Sequence, residues 1–359
     1  MSAAAGKRLA QARLASQGVT RGLARSPADV VRSMTAMQAQ DFAGAKWAVG
    51  LRLPGSTEAQ VEAALADGSI VRSWPMRGTL HFVAPEDLGW ILGLTTDRLV
   101  SGAAGRQAAL GLDERQFETA RVTAVEALNG GRALTREQLQ AAFAEAGVSV
   151  EAQRGYHILW YLAQTGTLCF GPPQGKQQTF VLLDEWVRHP RRLQHDEALG
   201  ELAERYFCSH GPATLRDFAW WSSLTMKDAR TGLAIVRTRL TEAEVEGSVY
   251  YLSPEAEEAP AVRGIWALPG FDEFLLGYQD RSAQLTAEHS GRIAPGANGI
   301  FQPTIVADGR VVGTWKRTIT KRGIRVEPLP FAPLSGRAKA GFALAAAGYA
   351  EFLGLELID

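Results

Sequence analysis

One stretch, Leu134 to Leu183, fixes the kind of element from which this chain is assembled. Thr135 and Gln138 stand at the spacing of a capping box, so a helix is expected to start at Arg136. Leu139, Ala142 and Phe143 then repeat at three- and four-residue steps, which gives one apolar face, and Gly147 closes the helix. A second helix is expected from about Glu151 to Gln164, with Tyr156, Leu159, Trp160 and Ala163 turned inward. Thr167 to Phe170 reads as a strand, a Gly/Pro/Gln-rich tip follows, and Thr179 to Leu183 reads as the returning strand. Helix, turn, helix and hairpin in this order make the winged-helix pattern, whose second helix and hairpin are its usual DNA-contacting parts.

The same order recurs. Downstream, a helix over about Asp196 to Ser209 stops at Gly211-Pro212, Thr214 with Asp217 starts another, Thr225 caps a third to about Arg239, and Val249 to Leu252 reads as a strand. Upstream, Ser26, Pro27 and Asp29 place an N-cap, an N1 proline and an acidic first turn in sequence, for a helix ending near Met37. Thr57 with Gln60 opens a further helix; Ile70 to Trp74 and Thr79 to Val83 read as strands, and Pro85 restarts a helix. After Arg263 the helical period fades. Asp308-Gly309 between two apolar runs is a hairpin signal, and a terminal helix is expected near Arg337 to Phe352. The expected fold is α+β: winged-helix units over 1–110, 111–190 and 191–260, then a mostly β domain over 261–359. The acidic segment Ser253 to Pro260 is the expected linker.

Composition excludes several classes. No apolar run reaches the roughly 18 residues of a membrane span, and Lys7 and Arg8 are followed by no apolar signal core. Cys169 and Cys208 stand far apart, which fits a reducing compartment and no disulfide framework, so a cytoplasmic location is expected. Formal net charge is zero, but residues 1–110 hold 12 Lys+Arg against 8 Asp+Glu. Near the other end Lys316, Arg317, Lys321, Arg322 and Arg325 fall in a stretch without an acid, which can neutralise phosphates or simply be a solvated strand face.

Common catalytic motifs are missing. Gly171 to Lys176 is one residue short of a phosphate loop, with Gln177 where a Ser or Thr would hold magnesium. The six histidines are scattered, and there is no Cys-x-x-Cys, no His-Glu-x-x-His and no Gly-x-Ser-x-Gly, so neither a metal nor a cofactor is expected. Two short polar segments remain. In Met37-Gln-Ala-Gln-Asp41, the amides of Gln38 and Gln40 would point about 200° apart on a helix but to one side in extended chain. In Arg77-Gly-Thr-Leu-His-Phe-Val83, a strand would put Thr79 and His81 on one face. By themselves both patterns fit ordinary surface or structural residues.

Those two segments, with Leu268-Pro-Gly-Phe-Asp-Glu-Phe-Leu-Leu-Gly-Tyr-Gln-Asp-Arg281 and Asn298-Gly-Ile-Phe-Gln-Pro303, resemble the winged-helix DNA glycosylases of the AlkZ and YcaQ type. The resemblance spans nearly the whole chain in order. It implies three winged helices and a C-terminal barrel around a DNA-binding channel. It also implies excision of alkylated purines, including bulky natural-product adducts and interstrand crosslinks, in DNA repair or antibiotic self-resistance. The family's catalytic element is Gln-apolar-Gln or Gln-apolar-Asp; Gln38 and Gln40 match the first form, as in the AlkZ branch.

An amide does not ionise near neutral pH, so it can only orient a water and stabilise developing charge. That weak help suffices for a purine alkylated at N7, which is already cationic and leaves readily. On this reading Gln38 and Gln40 are catalytic, Thr79, His81 and Asp41 support them, and Arg77, Lys176, Lys316, Arg317, Lys321, Arg322 and Arg325 contact double-stranded DNA. A monomer is expected, since three unequal units suit an asymmetric clamp. Two other readings stay open: a non-enzymatic winged-helix transcription regulator, which would favour a dimer on symmetric half-sites, and a protein that sequesters a DNA-alkylating metabolite.

Overall fold

The capping signals are realised in a computed structural model that describes residues 2–22, 24–257, 263–297 and 299–358. The chain divides into two compact units, a discontinuous one, Met1–Glu62 with Leu199–Asp359, and a continuous one, Ala63–Ala198.

In the continuous unit both bonds of the Thr135–Gln138 capping box are present, and they start the helix Arg136–Glu145. Gly147 follows with φ of 80° and lets Val148 N–H reach back to the Phe143 carbonyl. The second helix is Arg154–Gln164, shorter than expected because Ala152 and Gln153 turn with positive φ. Leu159, Trp160 and Ala163 are buried as expected, whereas Tyr156 is exposed. Tyr156 continues the Leu159–Ala163 stripe into the first turn of the helix, and its ring meets Trp74 edge-on. Strands Leu168–Phe170 and Thr179–Leu182 pair antiparallel around the wing tip. The unit's five strands stand in the order Thr79–Val83, Val71–Met76, Leu168–Phe170, Thr179–Leu182, Leu134–Thr135. Helices Pro85–Ala109 and Glu114–Leu128 complete it. Phe117, Leu139, Phe143, Ile158, Leu162, Leu168 and Phe180 share one core, each such side chain contributing about 1.5–3 kcal/mol by leaving water.

In the discontinuous unit Ser26 caps helix Pro27–Met34, with Pro27 at its start. Thr214 and Asp217 form a capping box for Leu215–Ser222, and Thr225 caps Met226–Val236. An acidic hairpin, Thr241–Val245 with Ser248–Leu252, follows. Of the expected linker, Pro254–Glu257 is a short helix, and residues 258–260 lie outside the described residues. The C-terminal strands Ile265–Leu268, Thr304–Ala307, Arg310–Thr320 and Gly323–Pro330 pair as one antiparallel sheet. Asp308 (φ 49°) and Gly309 (φ 91°) make the expected tight turn. The expected barrel-like closure is not found among the described residues: four strands are too few to wrap round, and the sheet stays open. One free edge is covered instead by the C-terminal chain, where Ile324 N–H donates to the Glu356 carbonyl and Ile358 N–H to the Ile324 carbonyl. Helix Gly336–Leu353 packs on the sheet, and Gly50 of helix Phe42–Leu51 meets Phe352 so closely that a Cβ there would lie 2.4 Å from its ring. No helix among the described residues is long and apolar enough to cross a membrane.

Candidate functional site

The glutamine segment hangs between two helices. Helix Pro27–Met34 ends three residues earlier than expected, because Thr35 reverses the chain at φ 68° and ψ −56°. That conformation is rare for a β-branched residue and is held here in a fully buried position. Strand Ala36–Gln38 follows, and helix Phe42–Leu51 begins after Asp41. The triplet therefore begins in extended chain at Gln38 and reaches a bend at Gln40. Its burial alternates: Gln38 half-buried, Ala39 fully buried, Gln40 exposed. The Gln38 amide oxygen Oε1 is itself buried and has no hydrogen-bond partner among the described residues. An unmet buried acceptor costs about 1–3 kcal/mol, so a donor supplied by a water or a ligand would be favourable there.

Asp41 is occupied otherwise than expected. Its carboxylate caps the helix, Oδ1 accepting from Gly44 N–H at 3.1 Å. A Cβ at Gly44 would lie 2.5 Å from the other Asp41 oxygen, so glycine is needed for this cap. Lys46, nearly buried, reaches Glu58 (2.7 Å) and Glu62 (2.5 Å) and is therefore held away from any role as an amine nucleophile. Neither cysteine offers a thiolate: burial pushes Cys169 far up and Cys208 to about 11, with Glu204 and Glu255 adding to the second.

In the continuous unit, strand Thr79–Val83 pairs with Val71–Met76 through a two-residue turn, Arg77 (φ 55°) and Gly78 (φ 66°). His81 is fully buried. Its Nε2 accepts from the Arg77 guanidinium at 2.9 Å, which leaves Nδ1–H to donate to the Thr79 carbonyl at 2.9 Å. This assigns the neutral Nδ1–H tautomer from the bond network. Both ring nitrogens are thus committed within the hairpin, and Arg77 is half-buried against the ring rather than projecting as a phosphate-binding side chain would. The Thr79 hydroxyl is buried and has no partner among the described residues. Nearby Arg72 is drawn down to about 10, by burial first and by the charge of Arg136 second; it donates to Gln178 Oε1 at the base of the wing and lies over Phe170.

Lys176 sits exposed at the wing tip, in the turn closed by the Gln174–Gln177 bridge. The basic stretch proves heterogeneous. Lys316 meets Glu327, its neighbour across the strands, at 3.2 Å; Glu327 stands just past the end of the stretch, and the hairpin folds it back beside Lys316. Arg317 bonds the Tyr349 hydroxyl. Lys321 and Arg322 form the exposed two-residue turn of the hairpin, and Arg325 is exposed opposite Thr318.

A set of buried polar groups in the discontinuous unit was not foreseen from the sequence. Glu273 Oε1 accepts from the Gln38 backbone N–H, and Oε2 from Trp221 Nε1–H, both at 3.0 Å. Next to it, Asp272 takes a bidentate bond from Arg52, the C-cap of helix Phe42–Leu51. The available signal was two adjacent acids inside the apolar run Pro269 to Leu276, where only paired carboxylates can be buried.

The family model described as DNA glycosylase AlkZ-like matches residues 31–352. A relative from Streptomyces sahachiroi, an interstrand DNA cross-link repair glycosylase, is 32% identical over 323 residues, covering 85% of each chain. The solved structure of Streptomyces sahachiroi DNA glycosylase AlkZ superposes with a TM-score of 0.82 at 27% identity, covering 98% of this chain and 99% of that one. With the family model matching residues 31–352 and a relative 32% identical over 85% of each chain, this protein belongs to the AlkZ-like DNA glycosylases.

Proposed function

We propose that this glycosylase hydrolyses the N-glycosidic bond of cationic N7-alkylated purines in duplex DNA, including bulky adducts and interstrand crosslinks. The observation that carries the reading is the buried Oε1 of Gln38, without a partner among the described residues and two residues from the exposed Gln40. Two neutral amides cannot take a proton; they can hold a water near the deoxyribose C1′ and stabilise charge developing there. The alkyl cation supplies the leaving-group activation that the protein lacks. A purine tied to the opposite strand cannot flip freely, so an open cleft suits the substrate better than a closed pocket. The relative's name, an interstrand cross-link repair glycosylase, supports the crosslink part. Membership of a glycosylase family sets aside the regulator and sequestration readings.

Within this reading, Asp41 supports the triplet by fixing where the following helix starts. His81 holds the Arg77–Gly78 turn of its own hairpin, and the Thr79 hydroxyl, which has no partner among the described residues, can meet a phosphate or a water. We retain three winged-helix units over 1–110, 111–190 and 191–260, a C-terminal domain over 261–359, and a monomer acting on DNA; the recurring helix–helix–hairpin order supports the count.

The chemistry is tested by its product. Incubation with duplex DNA carrying N7-methylguanine is expected to release the free base and leave an abasic strand that stays intact until alkali is added. Borohydride trapping of a protein–DNA adduct would overturn hydrolysis by water in favour of an amine nucleophile. A panel of methyl, bulky and crosslinked substrates then ranks the lesions.

DNA binding is tested at the hairpin turn. Neutralising Lys321 and Arg322 to Gln should flatten the slope of log affinity against log salt by about 0.9 for each phosphate left without its cation, roughly 2 in all. An unmoved slope would mean that the turn is merely solvated.

A further inference from the structure

The Gln38 backbone is held by a charge that the proposed chemistry does not use. Glu273 is 1% exposed, and Trp221 and His210 are fully buried beside it. The carboxylate accepts from Gln38 N–H on one oxygen and from Trp221 Nε1–H on the other. His210 Nε2 lies 3.5 Å from that second oxygen, at the outer limit of a hydrogen bond, while its Nδ1 meets Ser209 Oγ at 2.8 Å. The Glu273 main chain is fixed too: its carbonyl accepts from Gln17 Nε2 and from Gly277 N–H. A Cβ at Gly277 would lie 2.6 Å from the His210 ring, so this corner has no slack.

Burying a carboxylate is unfavourable unless it is fully paired, and an apolar side chain would fill this space with less penalty. What a carboxylate gives that an apolar group cannot is a charge-assisted bond to a backbone N–H. That N–H belongs to the residue whose side-chain oxygen has no partner among the described residues. The segment also needs restraint, because it leaves the strained turn at Thr35 and is not yet helical. Asp272 grips Arg52 at the far end of helix Phe42–Leu51, so two adjacent carboxylates fix the chain both before and after that helix.

We infer that Glu273 is a positioning residue for excision, setting the Gln38 amide through the Gln38 backbone N–H. The inference rests on the reading of Gln38 and Gln40 as the catalytic pair. A misplacement near 1 Å can cost about a hundredfold in rate, so this bond reaches the chemistry without Glu273 touching DNA.

The test uses the whole protein, single-turnover release of N7-methylguanine from duplex DNA, DNA affinity, urea stability, and hydrogen exchange at the Gln38 amide. Glu273→Leu should lose the exchange protection of Gln38 and slow excision by about a hundredfold, with affinity within about twofold. Glu273→Gln keeps one acceptor for Gln38 N–H and should recover most of that rate. A purely structural role would instead lower stability while leaving the rate per folded molecule unchanged, and that result overturns the proposal. If Glu273→Leu does not fold, Glu273→Ala beside Glu273→Gln carries the test: slowing in Glu273→Ala that Glu273→Gln does not share, with unchanged affinity, supports the proposal, and wild-type rates in both overturn it. Wild-type activity in Gln38→Ala and Gln40→Ala would sink the catalytic reading itself. An inactive Gln40→Ala beside a fully active Glu273→Leu sinks only the role of Glu273.

Discussion

Gln40→Ala is expected to lower the single-turnover excision of N7-methylguanine by about a hundredfold, the usual scale for losing one preorganised polar group at a developing charge. Gln40 is exposed at the end of the extended segment, so its truncation leaves no cavity and should not change stability. Gln38→Ala is expected to fall by a similar factor, and the double variant should be little worse than either single one, because both amides would hold the same water. DNA affinity should stay within about twofold in all three, since base excision and phosphate binding draw on different groups. Stability measured alongside separates chemistry from folding for Gln38, whose side chain is half-buried. Unchanged rates in both single variants would remove the triplet from the mechanism. A loss of affinity equal to the loss of rate would make these residues DNA-binding groups instead.

The second large effect is on stability. Arg52 is fully buried, and all five of its guanidinium N–H donors are taken: two by Asp272, two by the Gln17 carbonyl and side-chain oxygen, and one by the Ala48 carbonyl. Asp272→Ala leaves that charge without its counter-ion and should destabilise the protein by about 3–5 kcal/mol. This is a large share of the roughly 5–15 kcal/mol by which domains are stable. The double replacement Arg52→Met with Asp272→Leu removes both charges and should restore much of the loss. Urea unfolding of the three proteins measures both. A small effect of Asp272→Ala would mean that water reaches Arg52 and that the pair is not a structural anchor. Because Asp272 also caps the short helix that begins at Glu273, accepting from Phe274 N–H, Asp272→Ala should also slow excision.

These two regions differ in how far they could be read from the chain. The helices that start after Thr135 and Thr214 were legible because capping boxes are local: the side chain that starts the helix and the amide it satisfies are three residues apart. The Asp308-Gly309 turn was legible for the same reason. Helix Phe42–Leu51 was not foreseen. Seven of its ten residues, from Gly44 to Gly50, are buried, so it has no polar face to produce a helical period. The early end of helix Pro27–Met34 was hidden as well, since a Thr at positive φ carries no local signal and is sustained only by its surroundings. Among the basic residues, charge counting placed Lys316 with Lys321 and Arg322, but pairing across the hairpin gives Lys316 to Glu327.

The sequence by itself determined the order of helices and hairpins, the two glutamines, and, through four separated segments, the family. Those are properties of neighbours in the chain, and neighbours carry their own signals. Only the tertiary structure decided that Asp41 is a cap and that His81 spends both nitrogens inside its own hairpin. It alone brought Glu273, 235 residues away in sequence, to the Gln38 backbone. A buried carboxylate is stable only where the fold delivers its donors, and no pattern along the chain records which donors those will be.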